Sequence, residues 1–417
     1  MKVLKVIGNQ PLSGTIRISG AKNSAVALIP AALLGSGVST ICNVPNILDI
    51  DSLEETLKYL NVKVTRASES ILIDTSGLEN KTIPYELSKK LRASYYFMSV
   101  LLANFKYMEM SFPGGCEIGT RPIDQTLKAF RLFGAEVILE DDKFIIKADK
   151  LTGAVIPLDM PSVGATINAI LVGVKAIGKT IIKNAAREPE IVDLCIMLNK
   201  MGASITGYGT SEIEINGVEN LSGTNHDIIS DRIEAGTYTI IGAICGNNLK
   251  ITNINPEHIK SLTDNLALMG ANIEIHDDYL IIDNKNELKS IDIKTDYYPG
   301  FPTDLQQPMT SLLTQSNGVS TIEENIYENR FMNVPYLNEM GAHIKIDGRK
   351  AEVVGPTKLH GCETKATDLR AGASLLIAAL KAEGETTITE INHLLRGYEE
   401  IVEKLTNVGA KIEIKEI

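Results

Sequence analysis

A Gly-Ala step closing a helical stripe recurs at Gly134, Gly202, Gly270, Gly341 and Gly409, with spacings of 68, 68, 71 and 68 residues. Asn61 holds the corresponding place 73 residues before Gly134, within Tyr59-Leu60-Asn61-Val62. The 417 residues therefore divide into six units of about 70. A unit of that size is one supersecondary element that cannot bury its own apolar face, so neighbouring units must share a core.

The order inside a unit is legible from its periodicity. Ile191, Leu194, Cys195, Leu198 and Met201 follow a helical stripe, Gly202 closes it, and Ser204-Ile-Thr206 begins an extended segment. Upstream lies a short β-rich segment opened by a turn residue, as in Gly37-Val-Ser-Thr-Ile, Gly178-Lys-Thr-Ile-Ile, Gly318-Val-Ser-Thr-Ile and Gly384-Glu-Thr-Thr-Ile, with weaker copies near Lys106 and Asn247. Just before each of these strands comes a segment apolar nearly all round: 24–34, 93–103, 165–177, 235–245, 305–313 and 371–380. A helix with no polar face must be buried, so each unit is read as one inner helix, one outer amphipathic helix and strands between them, an α/β architecture.

The residues that open the inner helices carry chemistry. They are Lys22-Asn23, Arg92, Ser162-Val163-Gly164, Asp231-Arg232, Thr303-Asp304 and Asp368-Leu369-Arg370. Ser, Thr and Asp there read as ordinary N-caps. Arginine and lysine beside the positive end of a helix are unfavourable without an anion, so a bound phosphate or carboxylate is expected.

The formal net charge of -11 opposes nonspecific nucleic-acid binding, while leaving room for a local cationic cluster around a small anion. Apolar stretches such as 25–34 are interrupted by Pro30, Gly35 and Gly37 short of the ~20 residues a membrane helix needs. No secretory leader is seen, and the five cysteines show no metal-ligand spacing, so a cytoplasmic protein is expected. The six histidines likewise show no ligand spacing, and neither a metal nor another cofactor is implied. Cys42, Cys195, Cys245 and Cys362 lie in apolar or periodic stretches and read as small buried hydrophobes. Cys116 differs. It sits in Ser111-Phe-Pro-Gly-Gly-Cys116-Glu-Ile-Gly-Thr-Arg121-Pro, a glycine-rich loop beside an arginine, where nearby positive charge favours the reactive thiolate.

Together, Ser19-Gly-Ala-Lys22-Asn23, Pro113-Gly-Gly-Cys116, Arg121-Pro-Ile-Asp124, Ala185-Ala-Arg-Glu-Pro-Glu190, Phe301-Pro-Thr-Asp304, Glu328-Asn-Arg330-Phe-Met and Ala366-Thr-Asp368-Leu-Arg370 resemble the UDP-N-acetylglucosamine 1-carboxyvinyltransferases, a branch of the enolpyruvyl transferases. The resemblance spans the whole chain. It implies a two-domain inside-out α/β barrel of six βαβ-type repeats, three per domain, with a cleft between 21–229 and a second domain made of 1–20 plus 230–417. The implied reaction moves the enolpyruvyl group of phosphoenolpyruvate to the 3-hydroxyl of UDP-N-acetylglucosamine, releasing phosphate, as the first committed step of peptidoglycan synthesis.

The resemblance also implies residue roles. Cys116 is the general acid toward C3 of phosphoenolpyruvate and the thiol that the epoxide fosfomycin alkylates, and Asp304 is the base for the sugar hydroxyl. Lys22, Arg121 and Arg396 hold phosphoenolpyruvate, with Arg92, Arg330 and Arg370 as further cations and Asn23 between the substrates. Arg121, Pro122, Ile123, Asp124, Ser162, Val163, Gly164 and Ile326 hold the nucleotide sugar, together with Arg92 and Asp304. Leu48 and Met160 stand where many relatives carry lysine, Thr126 where some carry histidine, and Leu395 where some carry aspartate. Two alternatives remain at this point: transfer to shikimate 3-phosphate, against which the cysteine loop argues, and a non-catalytic nucleotide-sugar-binding relative, which would bind without turnover.

Overall fold

The computed structural model describes residues 2–90, 92–112, 123–140 and 142–417, with 92 and 93 in backbone only. Six apolar helices are buried along nearly their whole length: α1 (Lys22–Ala31), α2 (Tyr96–Phe105), α3 (Val163–Gly173), α4 (Arg232–Cys245), α5 (Gln306–Leu313) and α6 (Leu369–Lys381). Side chains such as Leu28, Leu101, Ile170, Ile240, Leu312 and Leu376 are sealed from solvent on all sides of these helices. Each such burial is worth about 1.5–3 kcal/mol, which explains why sequences with no polar face sit at the centre.

The strand after each buried helix nucleates one sheet, and the sheets follow one plan. Val38–Cys42, Lys179–Lys183, Gly246–Thr252, Gly318–Glu323 and Glu385–Thr389 each pair antiparallel on one side and parallel with a short edge strand on the other. Tyr107–Ser111 has the same antiparallel partner, and a single bridge from Ile83 to Met110 stands in for its edge strand. The glycine after each outer helix has φ from 86° to 106° at Gly134, Gly202, Gly270, Gly341 and Gly409, and Asn61 takes the same left-handed turn at 62°. That conformation excludes most side chains, so the repeat signal in the sequence is a backbone requirement.

Contacts divide the described residues into two compact units, one of residues 20–229 and one of residues 2–19 with 230–417. Each has its own apolar core. In the second, the three buried helices α4, α5 and α6 pack against one another. The chain's first segment belongs there too: Lys2–Ile7 runs antiparallel between Glu385–Thr389 and Lys411–Glu416, and Leu12–Arg17 is the parallel edge strand beside Gly246–Thr252. No helix of the described residues is long and apolar enough to cross a membrane.

One reading from the sequence needs correction. Cys195 and Cys245 are buried, but Cys42 and Cys362 are half-buried. Cys42 ends a strand whose side chains alternate in and out, and it falls in the outward phase, with its thiol 3.8 Å from Asn225 Oδ1. An apolar neighbourhood in sequence does not fix which face of a strand a residue occupies.

Gly20 lies where the chain passes from one unit to the other, and a Cβ built there would stand 1.6 Å from the Asn43 carbonyl oxygen. Neither backbone can yield easily, since Ala21 N donates to Ile229 O at 2.7 Å and Asn43 Nδ2 to Ile228 O at 2.8 Å. Gly20→Ala is expected to lower stability by roughly 1–3 kcal/mol, read as a lower thermal midpoint in scanning calorimetry. An unchanged midpoint contradicts this packing.

Candidate functional site

In the 230–417 unit two of the three buried helix starts are capped by aspartates, and side chains link the starts of α5 and α6. Asp231 caps α4, its Oδ1 accepting from Ile233 N at 2.8 Å and Glu234 N at 2.9 Å. Asp368 caps α6 through Arg370 N at 2.8 Å and Ala371 N at 3.1 Å. Gln307, in the first turn of α5, reaches across with Nε2 to Asp368 Oδ2 at 3.3 Å and to the Arg330 carbonyl at 3.0 Å. Capping satisfies backbone N–H groups that a buried helix end otherwise leaves bare.

Asp304 does something else. It lies in a 3-10 turn, Thr303–Leu305, with no side-chain cap, so the sequence expectation of an N-cap fails. Its carboxylate instead bridges two arginines: Arg330 Nη2 donates to Oδ1 at 2.5 Å and Arg370 Nη2 to Oδ2 at 2.9 Å. Both guanidiniums are almost inaccessible, while Asp304 keeps 28% of its side chain exposed. Burial works against the charge on Arg370, but the Asp304 carboxylate, with Tyr398 and Asp231 behind it, holds the guanidinium protonated above its usual range. Arg330 also lies 5.4 Å from the centre of the Tyr327 ring. Glu324 ties down this loop, accepting from Ile326 N at 2.8 Å, Tyr327 N at 3.0 Å and Thr303 Oγ1 at 2.9 Å. Ionised, Asp304 is an acceptor with one accessible edge, the form a base toward a substrate hydroxyl requires.

A short segment after the helix Asn392–Leu395 borders the same cluster. Arg396 is half-buried at that helix's end, and Tyr398, fully buried, accepts from Arg370 Nη1 at 3.3 Å. Next along, Glu399 accepts from the Ser19 hydroxyl, which Lys404 Nζ also contacts at 2.6 Å. Glu234 accepts from Ser19 N at 2.8 Å and from Lys404 at 2.7 Å.

In the 20–229 unit, Lys22 opens α1 and pairs with Asp49 at 2.6 Å, the acid almost completely buried. A carboxylate of the protein's own thus meets the cation at this helix start, as Asp304 does for Arg370. A cation in that position therefore does not by itself demand a bound anion. Ser162 caps α3, its Oγ accepting from Ala165 N at 3.3 Å, and a Cβ on Gly164 would stand 1.8 Å from the Tyr95 hydroxyl. Asn23, Val163, Gly164 and Ile123 are half-buried, and Asp124 is exposed at the first turn of Asp124–Leu132. Leu48 and Met160 are exposed apolar side chains, whereas Thr126 is buried. Cys116, Arg121 and Pro122, and the side chain of Arg92, lie outside the described residues.

The structure thus brings Asp304, Arg330 and Arg370 together. It also shows supporting residues that the sequence did not: Gln307 at the Arg330 carbonyl, Tyr398 at Arg370, Glu324 at Thr303 and the 326–327 backbone, and, in the 20–229 unit, Asp49 at Lys22. Only Asp49 left a local trace, as an acid in phase with Ile50, Leu53 and Leu57 on the buried face of its helix.

A family profile described as EPSP synthase (3-phosphoshikimate 1-carboxyvinyltransferase) matches residues 6–405. UDP-N-acetylglucosamine 1-carboxyvinyltransferase 2 of Geobacillus kaustophilus (strain HTA426) is 48% identical over 412 residues, covering 99% of this chain and 96% of the relative. The protein of the same name from Bacillus subtilis (strain 168) is 48% identical over 413 residues, with the same coverage. Among solved structures, the enolpyruvyl transferase NikO from Streptomyces tendae aligns with a TM-score of 0.91 at 27% identity over 99% of both chains. EPSP synthase from Acinetobacter baumannii aligns at 0.76 with 18% identity over the full length of both, a likeness of fold.

Burial pushes the Glu234 carboxyl up to about 7, against the pull of Lys404 and the Ser19 N–H, from an ordinary value of 4.5. Between about pH 4.5 and 7 the native state therefore holds a proton that the unfolded chain has lost, so this group's contribution to stability falls as pH rises through that window. The change is up to about 3 kcal/mol. Unfolding free energies measured across the window are expected to show this downward trend, and Glu234→Gln to flatten it. An equal slope in the variant counts against a raised Glu234.

Proposed function

Because the chain belongs to the EPSP synthase family of enolpyruvyl transferases, we propose that it moves the enolpyruvyl group of phosphoenolpyruvate to the 3-hydroxyl of UDP-N-acetylglucosamine. The observation that carries this choice of acceptor is 48% identity over 99% of the chain to relatives named for that reaction. Product formation would feed peptidoglycan synthesis.

The chemistry asks for an acid, a base and anion clamps. Phosphoenolpyruvate is a weak electrophile until C3 gains a proton, which Cys116 supplies from its thiol. The sugar 3-oxygen then bonds to C2 as Asp304 takes its proton. Loss of a C3 proton with cleavage of the bond from C2 to the phosphate oxygen leaves the enol ether and inorganic phosphate. Lys22, Arg121 and Arg396 are assigned to the phosphate and carboxylate, with Arg370, Arg330 and Arg92 contributing to the same field and Asn23 bonding between the two substrates. Arg121, Pro122, Ile123, Asp124, Ser162, Val163, Gly164 and Ile326 are assigned to the nucleotide sugar, the start of α3 suiting a diphosphate because its first N–H groups point outward. The accessible carboxylate of Asp304 between two buried arginines supports its role as base.

Phosphate release is expected with phosphoenolpyruvate and UDP-N-acetylglucosamine and not with shikimate 3-phosphate, and Asp304→Asn should lower kcat by about 10²–10⁴. Turnover with shikimate 3-phosphate alone overturns the acceptor, and tight nucleotide-sugar binding with no phosphate release overturns catalysis.

Intact-mass analysis after exposure to fosfomycin should show one adduct that disappears in Cys116→Ser, since a thiolate is the nucleophile toward the epoxide. An adduct surviving that substitution removes Cys116 from its role.

A further inference from the structure

We propose that Tyr398 is a positioning residue for the transfer reaction, holding the guanidinium of Arg370 in the plane that aims it at Asp304. The assignment rests on the reading of Arg370 and Asp304 as parts of the transfer site.

Proton counting fixes the direction of the contacts. A guanidinium only donates, so at 3.3 Å Arg370 Nη1 gives its proton to the Tyr398 oxygen. Thr237 spends its single hydroxyl proton on the Ile233 carbonyl at 2.8 Å, leaving its oxygen to accept. Tyr398, 2.9 Å from that oxygen, must therefore donate to it. The result is one directed chain, Arg370 to Tyr398 to Thr237 to the backbone of α4, with every member buried. Burial is also the main reason the Tyr398 phenol titrates above its ordinary range and stays a neutral donor.

The chain matters because of what the other end of Arg370 does. Nη2 reaches Asp304 Oδ2 at 2.9 Å, and among the described residues Tyr398 is the only acceptor for Nη1. With both ends held, the flat group cannot rotate. The Tyr398 ring adds a face 5.8 Å from the guanidinium carbon. The preceding residue, Gly397, packs against the Leu369 side chain, one residue before Arg370: a Cβ there would stand 2.7 Å from Leu369 Cδ2. Preorganising a charged donor in this way avoids reorienting it when substrate arrives.

Steady-state kinetics of Tyr398→Phe, Thr237→Val and Thr237→Ser test the proposal. Losing one hydrogen bond to a charged group should raise KM for phosphoenolpyruvate on the order of tenfold in Tyr398→Phe and Thr237→Val, with KM for the sugar nucleotide within about twofold of the parent. Thr237→Ser, which keeps the hydroxyl, should recover most of the loss. If the parent turns over and KM for phosphoenolpyruvate in Tyr398→Phe stays within about twofold, the assignment fails alone. If both KM values and kcat worsen together with a lower thermal midpoint, Tyr398 is only structural and the assignment again fails. A parent that releases no phosphate overturns the transfer reading, and this assignment with it.

Discussion

A helix buried on every side pairs its own backbone along its length and leaves bare polar backbone groups only at its two ends. Six such helices form the centres of the two units; neutral polar side chains meet in mid-helix, as Ser99 with Asn168 and Ser311 with Ser374, and charged groups stand at several of the starts. In the 230–417 unit, Asp231, Gln307, Asp368 and Arg370 sit within the opening turns of three helices or cap them, and side-chain bonds join Gln307 to Asp368 and Arg370 to Asp304. Packing the helices together, which the hydrophobic effect requires, is thus also what assembles the charged cluster. No separate interaction has to bring Asp304 and Arg370, distant in sequence, to within a hydrogen bond.

The price of that arrangement is charge held away from water. Arg330 and Arg370 are buried, and a buried guanidinium with no counter-ion costs several kcal/mol. Asp304 offsets both at once, and Asp49 does the same for Lys22. Each of these three cations therefore has a carboxylate of the protein's own beside it.

The repeat, the inner helices and several caps could be read directly from the chain because each is local. Gly134 and its equivalents announce a left-handed turn, and Ser162, Asp231 and Asp368 stand next to the N–H groups they accept from. Asp304 looked like a cap for the same local reason. Its true partners, Arg330 and Arg370, are 26 and 66 residues away, and nothing within its own turn announces them. Tyr398 and Glu324 were invisible for that reason too: a tyrosine two residues past an arginine, or a glutamate just after a strand, acquires meaning only when another helix start lands beside it.

The strand Lys2–Ile7 lies between Glu385–Thr389 and Lys411–Glu416, so segments about 400 residues apart are neighbours in one sheet. On the ribosome this has an ordering consequence. The described strands of the 20–229 unit are all available once residue 229 has emerged, whereas Lys2–Ile7 must wait for 385–416 before its sheet can close. A chain lacking 411–416 leaves Lys2–Ile7 without one of its two neighbours.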